Sequence, residues 1–277
     1  MGLRRAVVAS AASRKILVDR AMRKFTYAIG DVHGRYDLLQ EAMAAIHDHG
    51  GGQHGRIVML GDYVDRGPDS RGVVEYLIAH TKSQRIVCLK GNHEAMMVEA
   101  IRGGDLNRMS AWMFHGGEET MRSYGWSGRH AASGALIPPA HLDWMAGLPL
   151  MVRDDERIYV HAGVDPSVPI DEQSEATCLW IGERFLSSSL DRLTHHVVHG
   201  HSPKWREKMR TAQVERLAHR TNLDTGAYLT GVLAVGIFER GRLGGPVEVL
   251  CVSRAPGDPE LVAPRWRGSE ADEAVRG

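Results

Sequence analysis

Five times along this 277-residue chain, a basic or polar lead runs into a short apolar stretch that ends at a loop of glycine with Asp, Asn or His. Lys24–Gly30 precedes "DVHG", Arg56–Gly61 precedes "DYVDRG" and Arg85–Gly91 precedes "NHE". Arg157–Val160 precedes "HAG", and His195–Val198 precedes "HGH". Runs this short, rich in Ile and Val and bounded by glycine, read as buried strands. Between them Leu38, Leu39, Ala42, Met43 and Ile46 recur at helical spacing, as do Val73, Val74, Leu77 and Ile78, with Ser70 as the expected N-cap of the second helix. Strands alternating with helices give an α/β fold whose first half is largely parallel. Ligands of such sheets sit at the carboxyl ends of strands, where all five polar loops fall.

The stretch Gly103–Pro149 breaks the alternation. It carries "WMFHGG", "SYGW" and "HLDWM", and reads as a helical cap with Trp112, Trp126 and Trp144 in its own core rather than around a cofactor. Leu233–Phe238 and Val247–Val252 are β-branched runs separated by glycine-rich turns, the pattern of a closing antiparallel hairpin. One domain over 24–253 with an insertion at about 103–149 is expected, between an N-terminal extension 1–23 and a flexible tail 254–277 rich in Pro, Gly and charge. The extension is basic, with Asp19 its one acid and no signal-peptide apolar region; it reads as a frayed or packed helix, with a transit peptide as the alternative.

Lys plus Arg equals Asp plus Glu at 34 each, so no global field calls for nucleic acid or an anionic membrane as partner. No run approaches the roughly 20 apolar residues of a bilayer-spanning helix. Cys88, Cys178 and Cys251 form no C-x-x-C pair, which argues against a disulfide framework and fits a reducing cytoplasm. The 15 histidines matter by their placement, since imidazole is the commonest metal ligand and titrates nearest neutrality.

The loops hold a mixed donor set. Asp31 and His33 alternate on what reads as one extended segment and can face one ion; Asp62 offers two oxygens, Asn92 an amide oxygen, and His161 and His201 imidazoles. Carboxylate, amide and imidazole together suit Mn, Fe, Zn or Ni better than Mg or Ca, which prefer oxygen alone. Any one of these residues could be a cap or a satisfied core residue; the set is what is specific. Two ions about 3.5–4 Å apart can share a carboxylate and clamp a phosphoryl group.

In order, "GDVHG", "GDYVDRG", "GNHE", "HAG" and "HGHSP" resemble the motifs of the phosphoprotein phosphatase family within the calcineurin-like metallophosphoesterases, over roughly Lys24 to Phe238. "LWIGERF" and "NLDTGAY" look most like the bacterial and phage branch. The resemblance implies a four-layer α/β/β/α sandwich with a small helical cap and a dinuclear centre, Mn first among its metals. Asp31, His33 and Asp62 would hold one ion; Asp62, Asn92, His161 and His201 would hold the other, with Asp62 bridging. It implies a bridging hydroxide as nucleophile, His93 as the acid that protonates the leaving oxygen, Asp65 as its partner and Arg66 as a phosphate clamp, with Asn92 and His115 also facing substrate. A carboxylate beside His93 favours its protonated form, and general acid help is worth roughly 10²–10⁴-fold. The planar fork of Arg66 suits two phosphate oxygens, and a salt bridge to Asp65 or Asp69 is its plainer alternative. Serine/threonine phosphoproteins, with tyrosine as a further option, are the implied substrates.

Two positions depart from that pattern. Relatives of the bacterial and phage branch carry an arginine, a second phosphate clamp, where this chain has Gly182; Arg184, two residues on, would point about 200° round a helix. Losing such a contact should cost on the order of 1.5–3 kcal/mol of phosphate binding. His115 stands where relatives commonly carry Asn, and His199 is less well matched than His201 to the family ligand. The rival readings are a symmetrical diadenosine tetraphosphate hydrolase, which usually lacks an acid at the place of Asp65 and has Asp in place of Glu94, and a non-catalytic phosphate-binding module motivated by Gly182.

Overall fold

Alternation along the first long strand sets the architecture. In Phe25–Ile29, Tyr27 and Ile29 enter one apolar cluster and Ala28 another, as the two-residue period of a strand requires. Gly55–Met59 repeats the split, with Ile57 and Met59 in the first cluster and Val58 in the second. A sheet buried on both faces needs two covers, and here helices form one and a second sheet the other.

The computed structural model describes residues 16–18, 24–51, 55–81, 85–128, 134–188, 193–206, 209–254 and 266–267. Its strands are β1 (Ile16–Val18), β2 (Phe25–Ile29), β3 (Gly55–Met59), β4 (Ile86–Cys88), β5 (Met151–Arg153), β6 (Arg157–Val160) and β7 (His196–His199), followed by β8 (Lys204–Arg206), β9 (Met209–Gln213), β10 (Glu215–Arg216), β11 (Arg220–Asn222), β12 (Val232–Glu239), β13 (Glu248–Ser253) and β14 (Trp266–Arg267). One six-stranded sheet runs β14-β13-β12-β2-β3-β4, with β2, β3 and β4 parallel and β12 antiparallel to both β2 and β13. The other runs β1-β5-β6-β7-β11-β10, and β8 pairs with β9 apart from both. The hairpin of β12 and β13 and the parallel start are as the sequence predicts.

Helices α1 (Tyr36–Ile46) and α2 (Ser70–Thr81) cover the outer face of the first sheet through Leu38, Leu39, Ala42, Val73 and Leu77. Ala28, Val58 and Leu60 meet Val152, Tyr159 and Val198 between the sheets. After α3 (Asn92–Gly103) comes the cap, formed by α4 (Leu106–Trp112), a π-type turn Met113–Gly117, α5 (Glu118–Ser123) and α6 (Pro139–Ala146). Helices α7 (Glu175–Trp180) and α8 (Glu183–Leu186) cover the outer face of the second sheet, where Cys178, Leu179 and Phe185 pack on Ile158, Val160 and Val197. The result is the four-layer α/β/β/α sandwich. Each core leucine is worth about 2–5 kcal/mol against alanine.

The cap has its own core. Trp112 is buried with Met97, Met121, Tyr124 and Met145, and Trp126 and Trp144 pack against them from its edge. Four expectations change. Ser70 does not cap α2: Asp69 does, its Oδ1 accepting from the Gly72 N–H at 2.8 Å, while the Ser70 hydroxyl turns inward to Asp65 and Thr120. Asp31 to His33 is a turn rather than an extended segment, since β2 ends at Ile29 and His33 has φ 43°. Ile16–Val18, expected in a helical extension, form an edge strand parallel to β5, and Trp266–Arg267 of the expected flexible tail pair with β13; the rest of both flanks lies outside the described residues. Among the described residues no helix is long and apolar enough to cross a membrane.

Candidate metal centre

Register brings the loops together. Ile29 pairs with Met59 at the ends of β2 and β3, so the chain beyond each emerges level with the other. The N–H groups of Val32 and His33 then donate to the Asp62 carbonyl at 3.1 and 2.8 Å. Across the sandwich, the Gly200 N–H donates to the His161 carbonyl at 2.8 Å, joining the ends of β6 and β7.

Among the described residues, five other than glycine have positive φ: His33 (43°), Asp62 (51°), Asp65 (73°), Arg66 (68°) and His201 (67°). All five are residues the sequence singled out. Such conformations cost of order 1–3 kcal/mol each and persist only where neighbours over-determine them. Here the restraints are visible. Buried Glu94 accepts from the N–H groups of Asp62 (2.9 Å), Tyr63 (2.7 Å) and Gly91 (2.9 Å). The Asp65 N–H donates to Ser70 Oγ and Thr120 Oγ1, and the Arg66 N–H to the Gly116 carbonyl. Two glycines allow close approach: a Cβ on Gly91 would lie 2.2 Å from Asp62 Oδ1, and one on Gly200 2.0 Å from Asp31 Oδ1.

Two groups of donors converge, and Asp62 belongs to both. His33, Asp62 and His93 form one, and Asp62, His161 and His201 the other, each with its donor atoms within 4.8 Å of one another. Asp62 Oδ2 lies 3.5 Å from His33 Nε2 and 3.9 Å from His93 Nε2, while Oδ1 lies 3.4 Å from His161 Nε2. His33 Nδ1 bonds the Val64 carbonyl and His161 Nδ1 the Leu60 carbonyl, both at 2.9 Å. A carbonyl only accepts, so Nδ1 carries the proton and Nε2 keeps its lone pair, the tautomer of a metal-ligating histidine held by its outer partner. Asn92 Oδ1 sits between His161 Nε2 (2.8 Å) and His201 Nδ1 (3.0 Å). A carbonyl oxygen facing an imidazole lone pair is repulsive unless a cation lies between them; turned over, the amide would instead donate to both rings and to Asp62. Asp31 joins neither group, but its Oδ1 is buried without a hydrogen-bond partner while Oδ2 accepts from the His201 N–H at 3.0 Å.

The charges ask for cations too. Burial, then Asp224 and Asp62, push the Asp31 carboxyl well above the usual carboxylate range. Burial likewise raises Asp224 to about 7 against the pull of the Gly226 N–H. Burial holds His33 well below the ordinary imidazole value, lowers His161, and brings His201 to about 4. Asp62 is also buried, yet the surrounding imidazoles hold it far below the carboxylate range. Neutral imidazoles, an anionic shared carboxylate and an orphaned carboxylate oxygen fit a pair of divalent ions of the mixed-ligand class.

His93 is different in kind. Its Nε2 faces Asp62, but Nδ1 is 2.7 Å from Asp65 Oδ2. Burial lowers this imidazole, and the Asp62 and Asp65 carboxylates outweigh burial and raise it above its ordinary value. Asp65 in turn accepts from the Trp112 indole N–H (2.9 Å to Oδ2) and from the Thr120 hydroxyl (2.7 Å to Oδ1). The cap therefore fixes the carboxylate that holds His93. Arg66 forms no ion pair with Asp65 or Asp69 among the described residues; its Nη1 lies 2.7 Å from His33 Nε2, and its guanidinium is 5.1 Å from the centre of the Tyr228 ring. Its charge acts on Asp31, His33, His93, His161, His201 and Asp224 alike.

The remaining positions sort cleanly. Arg184 is turned away, bonded to Asp165 Oδ2 at 3.0 Å and Ser167 Oγ at 2.9 Å, so it does not stand in for an arginine at Gly182. Nothing lies within 4 Å of a Cβ built on Gly182. His199 is buried in the fold against Phe185 and the Arg220 guanidinium, away from the donor groups. His115 is exposed and lines a groove with Arg66. Sequence reasoning did not find Trp112, Thr120 or Ser70 as partners of Asp65, nor Tyr228 and Asp224 beside the centre. The "DTGAY" motif was the one available signal for the last two.

A family model for calcineurin-like phosphoesterases matches residues 26–231. Over 143 residues the chain is 32% identical to the symmetrical bis(5'-nucleosyl)-tetraphosphatase of Neisseria gonorrhoeae (strain NCCP11945), which is 50% of this chain and 44% of that protein. Over 222 residues it is 27% identical to serine/threonine-protein phosphatase 1 of Salmonella typhimurium, 76% of this chain and 91% of that protein. The chain thus spans under half the length of the first relative and most of the second. A crystal structure provisionally assigned as a diadenosine tetraphosphatase superposes with a TM-score of 0.60 at 20% identity, covering 88% of this chain and 99% of that one, a likeness of fold.

Proposed function

The chain belongs to the calcineurin-like phosphoesterase family, and within it we propose a metal-dependent phosphomonoesterase that hydrolyses serine or threonine phosphoesters of proteins. The observation that carries the reading is the buried His93–Asp65 pair. A serine alkoxide is a poor leaving group and needs a proton as the P–O bond breaks, whereas a nucleoside diphosphate leaves readily without one. A histidine raised by two carboxylates, one of which is anchored by indole and hydroxyl donors, suits the first task.

Asp31, His33 and Asp62 would hold one divalent ion, and Asp62, Asn92, His161 and His201 the other, with Mn the favoured metal. When bound, such a pair neutralises phosphoryl oxygens and brings the pKa of water from about 15.7 toward 7. Arg66 binds and orients the phosphate from the side of His33. His93 delivers the proton from Nε2 to the departing ester oxygen while Asp65 stabilises the charge at Nδ1.

The second reading, a symmetrical diadenosine tetraphosphate hydrolase, is favoured by the 32% identity to the Neisseria relative. Incubating the Mn-loaded protein with a phosphoserine peptide and with diadenosine tetraphosphate side by side separates them. Phosphate release from the peptide with the dinucleotide left intact is expected; the opposite pattern overturns the proposal.

A further inference from the structure

The groove leading outward from Arg66 is walled by the cap. Arg66, Tyr228, Phe114, His115, Glu118 and Glu119 line about 540 Å³ of open space. Arg66 stands at its inner end, where the guanidinium meets His33 and the main chain is tied to Gly116. Phe114 is 88% exposed, with its ring edge-to-face to His115 at 5.7 Å. Of the two acids, Glu118 is held by Arg122 at 2.5 Å, while Glu119 has no hydrogen bond or ion pair among the described residues and acts on Arg122 through its charge alone. The charge along the groove therefore changes sign, positive at Arg66 and negative at the two acids of the cap.

We propose, building on the function above, that this groove selects phosphopeptides carrying lysine or arginine beside the phosphorylated residue, with Glu119 as the residue that sets the preference. The basic head meets the Glu119 carboxylate, and its aliphatic stem lies on the exposed Phe114 ring, as long cationic side chains do on apolar surface. The same charge pattern disfavours a polyphosphate chain. Its second and third phosphates would face Glu118 and Glu119 with no further cation in the lining, and like charges set against each other weaken the wrong partner.

The test uses the Mn-loaded full chain and two phosphopeptides identical but for lysine or glutamate beside the phosphoserine. Para-nitrophenyl phosphate, which has no flanking residue, gauges the metal centre, and diadenosine tetraphosphate is run in parallel. The lysine peptide is expected to have the higher kcat/KM by about threefold, the worth of one exposed ion pair, and the advantage should shrink as salt is raised. Glu119→Lys should reverse the order of the peptides, Glu119→Gln should level them, and Phe114→Ala should trim the lysine peptide's lead. Equal rates on the two peptides in the parent protein, or a preference that Glu119→Lys leaves in place, overturn the inference while the phosphoprotein phosphatase reading stands. Hydrolysis of diadenosine tetraphosphate and of neither peptide overturns both.

Discussion

Nδ1 of His93 lies 2.7 Å from Oδ2 of Asp65, with both side chains buried and the carboxylate clamped from the cap by Trp112 and Thr120. A segment inserted between strands thus reaches into the chemistry of the sheet. The cap holds a carboxylate, the carboxylate holds a histidine, and the histidine faces Asp62, the residue common to both donor groups.

Asp65→Asn keeps the shape of the pair and removes its charge. His93 stands above its ordinary value because Asp62 and Asp65 together outweigh burial, so losing one carboxylate lowers it and leaves less of the protonated acid at any given pH. The kcat for a phosphoserine peptide should fall by about 10², toward the lower end of what general acid help supplies. Para-nitrophenyl phosphate, whose leaving group needs little protonation, should lose far less. The alkaline limb of the kcat profile should move to lower pH. Equal losses on both substrates with an unmoved limb would show that Asp65 is structural only.

Arg66 and Gly182 make a reciprocal pair of tests. With Arg184 bonded to Asp165 and open space around Gly182, Arg66→Ala removes the arginine that faces the donor groups. KM for small phosphates should rise by about tenfold or more, from a contact worth roughly 1.5–3 kcal/mol. Gly182→Arg should lower KM on the same substrate and partly rescue Arg66→Ala. An aryl phosphate KM that Gly182→Arg leaves where it was would refute the missing-clamp idea.

The shared position of Asp62 predicts how metal binding breaks down. By calorimetry the parent chain should take up two Mn ions, His161→Ala one, and Asp62→Ala none in the micromolar range, since Asp62 is the member common to both groups. Binding to the folded state alone should raise the unfolding free energy by about 2.7 kcal/mol per ion at a hundredfold excess over Kd, and a chelator should reverse it. Two ions retained by His161→Ala would remove that residue from the ligand set.

Much of this centre was legible because its donors follow strands. An apolar run before "DVHG", "DYVDRG" or "HGH" fixes where the loop emerges, and a sheet brings strand ends together whatever their separation in sequence. What stayed hidden depends on backbone turns and on contacts across the cap. Nothing in "DVHG" announces that His33 adopts φ 43°, and nothing about Trp112 separates a buried indole from one whose N–H reaches Asp65. Ser70 misled for the same reason. Its hydroxyl was free to serve Asp65 because Asp69, one residue earlier, already capped the helix.

Buried histidines away from the centre should set the acid stability of the fold. His196 lies in β7, with Nε2 against Thr221 Oγ1 at 2.8 Å and Nδ1 donating to the Ala218 carbonyl, and burial chiefly lowers it to about 4. A base lowered on folding binds fewer protons in the native state than in the unfolded one. Its contribution is therefore complete above the unfolded value of about 6.5 and is lost as pH falls from there toward about 4. Between about pH 7 and about pH 5 this one group should take roughly 2 kcal/mol from the unfolding free energy. His196→Gln can keep the Thr221 bond without titrating. In denaturant unfolding followed by circular dichroism, the variant should lose about that much less than the parent over the same interval, and matched losses would exclude His196 as a source of the acid sensitivity.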